Sequence, residues 1–125
     1  MRQPPKGEGP VKELAKEWFK ARKGWSYAPV QTGYGEHGIH DRVGCVPLLI
    51  TQDMVGLVIG EFVSIECKAP GRRSEPRRGM SVHQAEVMDK IYDAYGKTIV
   101  CDGLEDLDRL DSPIMRRGPK DAPRG

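Results

Sequence analysis

Glu61-Phe62-Val63-Ser64-Ile65-Glu66-Cys67-Lys68-Ala69-Pro70-Gly71 is an apolar strand that ends on an acid and a base. Phe, Val and Ile suit a pleated, half-buried surface, which predicts a strand over Glu61–Lys68. Glu66 and Lys68 are two residues apart, so on that strand both point to one face. Cys67 alternates with them and is expected on the opposite, core-packed face. Buried charges are costly unless they are paired or hold a metal. Asp41 lies upstream in a glycine-rich segment that can bring a second carboxylate to the same spot. Two carboxylates suit a hard divalent cation, and a lysine beside it can orient a water. These residue types suit metal-assisted cleavage of a phosphodiester.

Outward from this strand, the chain reads as alternating helices and strands. Val11, Leu14, Ala15, Trp18 and Phe19 recur at helical steps, predicting a helix from Gly9 to Lys23 with Pro10 in its first turn and Gly24 as its stop. Tyr27–Gln31 reads as a short strand. The loop from Thr32 to Gly38 carries three glycines; it resembles a phosphate cradle only weakly, because no Gly-Lys-Ser/Thr follows. Val43–Thr51 reads as a strand, and Met54–Ile59 continues apolar after a turn at Gln52-Asp53. Ala69–Met80 is a basic loop. Ser81 is suited to cap a helix whose Gln84, Val87, Met88, Ile91 and Tyr92 share a face, ended by Gly96. Lys97–Cys101 is a further strand, and Leu104 begins a short helix. A parallel crossover from Glu61–Lys68 to Lys97–Cys101 follows, so the fold class is α/β with a mixed central sheet flanked by helices.

With 125 residues the chain suffices for one domain. Residues 1–7 read as a flexible arm, 8–110 as the domain and 111–125 as a basic disordered tail. Charged residues make up 30%, no run approaches the roughly 18–20 apolar residues of a membrane span, and no apolar signal core opens the chain. The net charge of +2 says less than its distribution. Arg72, Arg73, Arg77 and Arg78 cluster just beyond Lys68 and are the candidate DNA contacts. Arg116, Arg117, Lys120 and Arg124 mark the tail, where a solvated terminus is the simpler reading. Cys45, Cys67 and Cys101 are odd in number and widely spaced, which argues against a disulfide framework and for a reducing, cytoplasmic setting. With His37, His40 and His83 they form no CxxC or HxxxH pair, so no structural zinc is expected.

Four blocks in order carry a resemblance. They are Pro29-Val30-Gln31-Thr32-Gly33-Tyr34-Gly35, Gly38-Ile39-His40-Asp41, Phe62 through Gly71, and Ser81-Val82-His83-Gln84. Together they resemble the VRR-NUC branch of the PD-(D/E)xK nuclease superfamily, from about Glu8 to Gly103. The resemblance implies a restriction-endonuclease-like core. It places the first acidic residue at Asp41, the ExK pair at Glu66 and Lys68, and the helix glutamine at Gln84. It also implies a glutamate on the first helix: Glu8 is the favoured position, on the face of Val11, Ala15 and Trp18 that is expected to point inward, and Glu13 and Glu17 are competitors. The chain departs from the pattern at His40, where the family has proline. The stretches Cys45–Gly60 and Arg72–Gly79 are longer than the family minimum and are placed to shape a DNA surface or a subunit interface.

By this resemblance, Asp41, Glu66, the Cys67 backbone carbonyl and Glu8 would ligate Mg²⁺ or Mn²⁺. Lys68 would position the attacking water, and Gln84 would orient Lys68 or that water. The implied function is a metal-dependent DNA endonuclease acting on branched DNA such as four-way (Holliday) junctions, as a homodimer, in the cytoplasm of a bacterial or phage-infected cell. Short stand-alone nucleases of this type are common in phage and prophage genomes. The alternatives are a non-catalytic DNA-binding module on the same fold and a restriction-type duplex nuclease. Taken one at a time, Asp41 reads as a turn residue, Glu66 and Lys68 as a surface ion pair and Gln84 as an exposed helix residue. It is their order that favours a site.

Overall fold

The computed structural model describes residues 7–30 and 38–111. The arm of residues 1–6, most of the glycine-rich loop (31–37) and the basic tail from Ser112 onward lie outside the described residues. The element order is α1 (Glu8–Ala21), β1 (Trp25–Tyr27), β2 (Val43–Cys45), β3 (Val63–Cys67), α2 (Val82–Asp93), β4 (Lys97–Cys101) and α3 (Leu104–Asp108). The chain is thus a mixed α/β protein with three described helices and small sheets.

The crossover expected from the sequence is present. β3 and β4 pair in parallel, with Ser64 opposite Thr98, Glu66 opposite Val100 and Cys67 opposite Cys101. The helix α2 connects them and packs on the face that carries Ser64, Glu66 and Thr98. The core forms there: Met80, Ile91, Ala94 and Val100 are buried. Burial of Ile91 and Val100 alone contributes on the order of 3–6 kcal/mol. Lys97 ties the start of β4 to its surroundings, bonding Glu61 at 3.2 Å and the Leu110 carbonyl at 2.7 Å.

The single mixed sheet is not formed among the described residues. β1 and β2 make a separate antiparallel pair, Trp25 opposite Cys45 and Tyr27 opposite Val43. The strand expected over Val43–Thr51 stops at Cys45, and that expected over Tyr27–Gln31 lies earlier, at Trp25–Tyr27. The expected turn at Gln52-Asp53 is a 3₁₀ turn over Gln52–Met54. Leu48, Leu49, Ile50, Val55, Leu57, Val58 and Ile59 around it are exposed and in no described strand. Apolar content makes a run competent to pair, but a strand exists only where a partner supplies its hydrogen bonds.

Two further expectations are corrected by packing. Cys67 faces away from Glu66 as alternation requires, but it is exposed, and Val63 and Ile65 beside it are also exposed. The α2 helix covers the face with the charges and leaves the aliphatic face of β3 open. On α1, Val11 and Trp18 are exposed, whereas Leu14, Ala15 and Phe19 are half-buried. Trp18 instead meets Phe19 edge-on at 5.2 Å and carries the Arg22 guanidinium 3.9 Å above its ring.

Gly24 and Gly96 do follow their helices, for a reason other than left-handed backbone. The left-handed residues are Lys23 (φ 55°) and Tyr95 (φ 69°), one position earlier. A Cβ on Gly24 would lie 2.5 Å from the Cys45 carbonyl, and one on Gly96 would lie 2.7 Å from the Ile91 side chain. Gly24 permits close approach of the end of β2, and Gly96 lets the chain turn back tightly against its own helix α2.

The basic loop after β3 is built from a 3₁₀ turn, Arg72–Ser74, and a kinked turn over Pro76–Gly79. Arg77, Arg78 and Gly79 are successive left-handed residues, with φ of 53°, 53° and 79°. Each non-glycine residue there costs roughly 1–2 kcal/mol. A Cβ on Gly79 would also stand 2.9 Å from the Arg72 carbonyl. Gly79→Ala is therefore expected to destabilise the protein by about 1–3 kcal/mol in urea unfolding; an unchanged midpoint would contradict this account of the loop.

Candidate functional site

Ser81 and Gln84 begin the site by beginning a helix. The Ser81 hydroxyl accepts the Gln84 N–H at 3.1 Å, and the Gln84 side-chain carbonyl accepts the Ser81 N–H at 3.0 Å. This reciprocal capping box satisfies two orphan donors and holds the glutamine side chain at the helix entrance. The remaining hydrogen bonds of Gln84 reach β3. Its Oε1 also accepts from Lys68 Nζ at 3.0 Å, and its Nε2 donates to Glu66 Oε1 at 2.8 Å. Lys68 Nζ lies 3.4 Å from the same Glu66 oxygen.

The amide orientation follows from this chemistry, since its oxygen meets two donors and its NH₂ meets a carboxylate. Lys68 is 12% exposed and Glu66 33% exposed, so the pair is partly withdrawn from water and depends on its hydrogen bonds. Ser64, Glu66, His83, Gln84 and Thr98, with Val87, Met88 and Ile91, line a cavity of about 140 Å³. That is room for a few waters or a hydrated ion, at roughly 30 Å³ per water.

The ladder also defines what lies at the edge of β3. Lys68 N donates to the Cys101 carbonyl at 2.9 Å and Lys97 N to the Phe62 carbonyl at 2.9 Å. Even-numbered residues of β3 therefore turn their backbone groups to β4. Val63, Ile65 and Cys67 turn theirs to the opposite edge, which no described strand pairs. The Cys67 carbonyl thus stands on an open edge next to Glu66.

The structure brings Glu66, Lys68 and Gln84 together. It does not gather Glu8, Asp41 and Glu66 into one group: among the described residues no three His, Cys, Asp or Glu side chains are arranged to hold a metal. Glu8 lies in the first turn of α1, exposed, with Lys12 at 3.4 Å. Asp41 is exposed in the bend that leads into β2. The donors at this end of β3, the Glu66 carboxylate at the cavity and the Cys67 main-chain carbonyl on the open edge beside it, are hard oxygens of the kind Mg²⁺ and Mn²⁺ take. By donor chemistry this half of the site fits such a cation. His40 is exposed outside it, and His83 lies at the cavity with Glu86 at 3.9 Å.

The four arginines of the basic loop do different work. Arg72 donates to Glu75 at 3.3 Å and to the Gly79 carbonyl at 3.3 Å. Arg77 Nε donates to the Met80 carbonyl at 3.1 Å. Arg73 NH1 reaches Asp106 Oδ1 at 2.5 Å. The Arg78 guanidinium has no hydrogen bond or ion pair among the described residues.

Composition had not singled out Asp102 and Asp106, yet they anchor this loop. Asp102 accepts from the N–H groups of Gly71 and Arg73 at 3.2 and 3.1 Å, and Asp106 Oδ2 accepts the Asp102 N–H at 3.0 Å. That N–H, with the Arg73 and Arg109 cations, holds the Asp106 carboxyl below its ordinary range against the opposing effect of burial. Such a group adds stability above the unfolded aspartate pKa of about 3.9, and that stability is lost as pH falls through its folded value. Burial pushes the Cys45 thiol up, its Sγ lying 3.8 Å from the Ala94 carbonyl. Like Cys67 and Cys101, it is a free thiol.

No family model, curated protein or solved structure matches the chain. No described helix is long and apolar enough to cross a membrane.

Because one glutamine serves both cap and site, loss of the cap is expected to reach the site. Ser81→Ala should cost about 1 kcal/mol in thermal or urea unfolding. It should also broaden or shift the Gln84 side-chain amide resonance. A mutant that loses the stability but keeps that resonance unchanged would separate the two roles.

Proposed function

We propose that this chain is a divalent-metal-dependent DNA endonuclease with a restriction-endonuclease-like catalytic core of the VRR-NUC type, acting on branched DNA such as four-way junctions. The observation that carries the reading is the Glu66–Gln84–Lys68 bridge. An acid and a base at the end of one strand are held side by side by a helix glutamine, as the resemblance implies and as a chance surface pair would not require. Glu66 and the Cys67 carbonyl would hold Mg²⁺ or Mn²⁺, with Asp41 and Glu8 as the further ligands implied by the resemblance. The bound cation would act as a Lewis acid on the scissile phosphate and lower the pKa of a bound water. Lys68 would donate a hydrogen bond to the attacking water or to the phosphate oxygen that gains charge. Gln84 would keep the Lys68 ammonium from collapsing fully onto Glu66. The products expected by resemblance are a 5′-phosphate and a 3′-hydroxyl.

Lys68→Ala should lower metal-dependent nicking by on the order of 10²–10³-fold while the circular dichroism and melting profile remain folded. The substrates are linear duplex, flap and four-way junction, each with Mg²⁺ or Mn²⁺. Equal cutting of linear duplex would favour a restriction-type nuclease. Undiminished activity of the Lys68 variant in a clean preparation would end the mechanism. One observation favours a second reading: among the described residues no three-residue metal group is gathered and the Arg78 guanidinium has no hydrogen bond or ion pair, as a non-catalytic DNA-binding module would have it. Binding without cutting by the wild-type protein selects that reading.

The proposal includes a two-fold homodimer. Supporting it is the apolar run on either side of the Gln52–Met54 turn, in which Val58 is 98% exposed and Leu49, Val55 and Leu57 are also exposed. A second copy related by a two-fold axis would cover such a surface with its own. Sedimentation at micromolar concentration should give a dimer that Val58→Asp shifts toward monomer. A wild-type chain that stays monomeric removes the dimer from the proposal.

A further inference from the structure

We infer that Asp106 is a positioning residue for the basic loop, holding the cations of residues 72–78 in place against the strand that carries Glu66 and Lys68. The functional half of this inference rests on the DNA reading above; the structural half does not. The loop begins after Lys68, the residue that follows β3, and ends at Ser81, the cap of α2, so its two stems are joined by the Lys68–Gln84 hydrogen bond. Between them the chain contains left-handed Arg77 and Arg78, a conformation that persists only where surrounding contacts hold it. That end of the loop is held locally, by Arg77 and Arg72 on the Met80 and Gly79 carbonyls, while the Gly71–Arg73 stem from which it springs is held from outside, by Asp102 just after β4 and Asp106 in α3. Asp102 takes the Gly71 and Arg73 N–H groups, and Asp106 takes both the Arg73 guanidinium and the Asp102 N–H.

Asp106 is the keystone of that set because it is the inner group. Its side chain is 6% exposed, and it is the one buried charged residue among the described residues. Its charged neighbours are Arg73 at 2.5 Å, Arg109 at 3.9 Å and the Asp102 carboxylate, which is turned to the loop N–H groups. Arg73 therefore belongs to the scaffold of the loop, and Arg78 is the cation it leaves free for a phosphate. A carboxylate is needed to do this: it accepts from a guanidinium and a backbone N–H at once, one on each oxygen.

The test is Asp106→Asn, which keeps the shape and removes the charge. In the ¹⁵N-labelled full chain, the Gly71 and Arg73 amides should exchange with solvent at least about tenfold faster, and the Lys68 and Lys97 amides of the β3–β4 ladder should stay within about twofold. Trypsin should cut the loop after Arg72, Arg77 or Arg78 sooner than in wild type. On a labelled four-way junction, KM should rise several-fold with kcat held within about twofold, because the anchored loop is what presents the Arg78 cation to the DNA. A merely structural role would lower the active fraction, and so kcat, with KM unchanged. Arg73→Lys should recover part of the protection that Arg73→Gln loses. If Asp106→Asn does not fold, Arg73→Gln is measured in the same way, since its guanidinium is partly exposed. Full protection of Gly71 and Arg73 in the folded variant, or an even loss across the ladder, overturns the inference. A wild-type chain that cuts no DNA sinks the nuclease reading alone, because the exchange result still decides the anchor. Faster loop exchange with KM unchanged overturns the functional half.

Discussion

The structure around the site depends on how one side-chain amide is satisfied. Gln84 has one carbonyl oxygen and one NH₂ group, and it uses them on three different partners. The oxygen serves the helix cap and Lys68, and the NH₂ serves Glu66. Helix entry, strand end and charge pair are thereby fixed relative to one another. Substituting this residue would remove more than one bond, and the partly buried Lys68 and Glu66 would lose an acceptor and a donor with no water guaranteed to replace them. The parallel β3–β4 pairing supplies the frame, and α2 covers the face on which Glu66 and Lys68 stand.

The loop between the two halves of this site is a second consequence. A chain that must travel from Lys68 to Ser81 in twelve intervening residues, through left-handed arginines, is not held by its own propensities. Its first turn is held by hydrogen bonds to residues some thirty positions later, Asp102 and Asp106, and its left-handed end by local bonds from Arg72 and Arg77 to the Gly79 and Met80 carbonyls. The arginines are accordingly not equivalent. Three of them spend donors on carbonyls or carboxylates of the protein itself, and a count of positive charge does not distinguish these from the one that remains open.

Legibility followed the range of the forces. Helices α1 and α2 and strands β3 and β4 were readable within a residue or two, because periodicity and capping are local. The Ser81/Gln84 capping box was also present as a local spacing, and it is the signal that links Gln84 to the helix start. The segment Val43–Thr51 was read too long because its apolar content speaks to pairing competence, whereas the partner strand for Val46–Ile50 is not supplied by the described chain. Alternation puts Cys67 on the opposite face from Glu66, as found, but that face is open to solvent and not core. Alternation assigns sides, but only the landing of α2 decides which side becomes core. Gly24 and Gly96 show the same division: their places at helix ends were legible, and their close contacts with Cys45 and Ile91 were not.

By itself, then, the order of residues determined an α/β chain with a parallel crossover and an acid, a base and a glutamine on consecutive elements. Those are properties of periods of two and 3.6 and of spacing along the chain. The tertiary structure decided which of the candidates meet. Glu66, Lys68 and Gln84 converge because β3 and α2 are packed face to face. Glu8 remains at the exposed start of α1, with Lys12 at 3.4 Å. Asp102 and Asp106 entered the account only through space, since a carboxylate acquires an anchoring role from the distant N–H groups and guanidinium that the fold delivers to it.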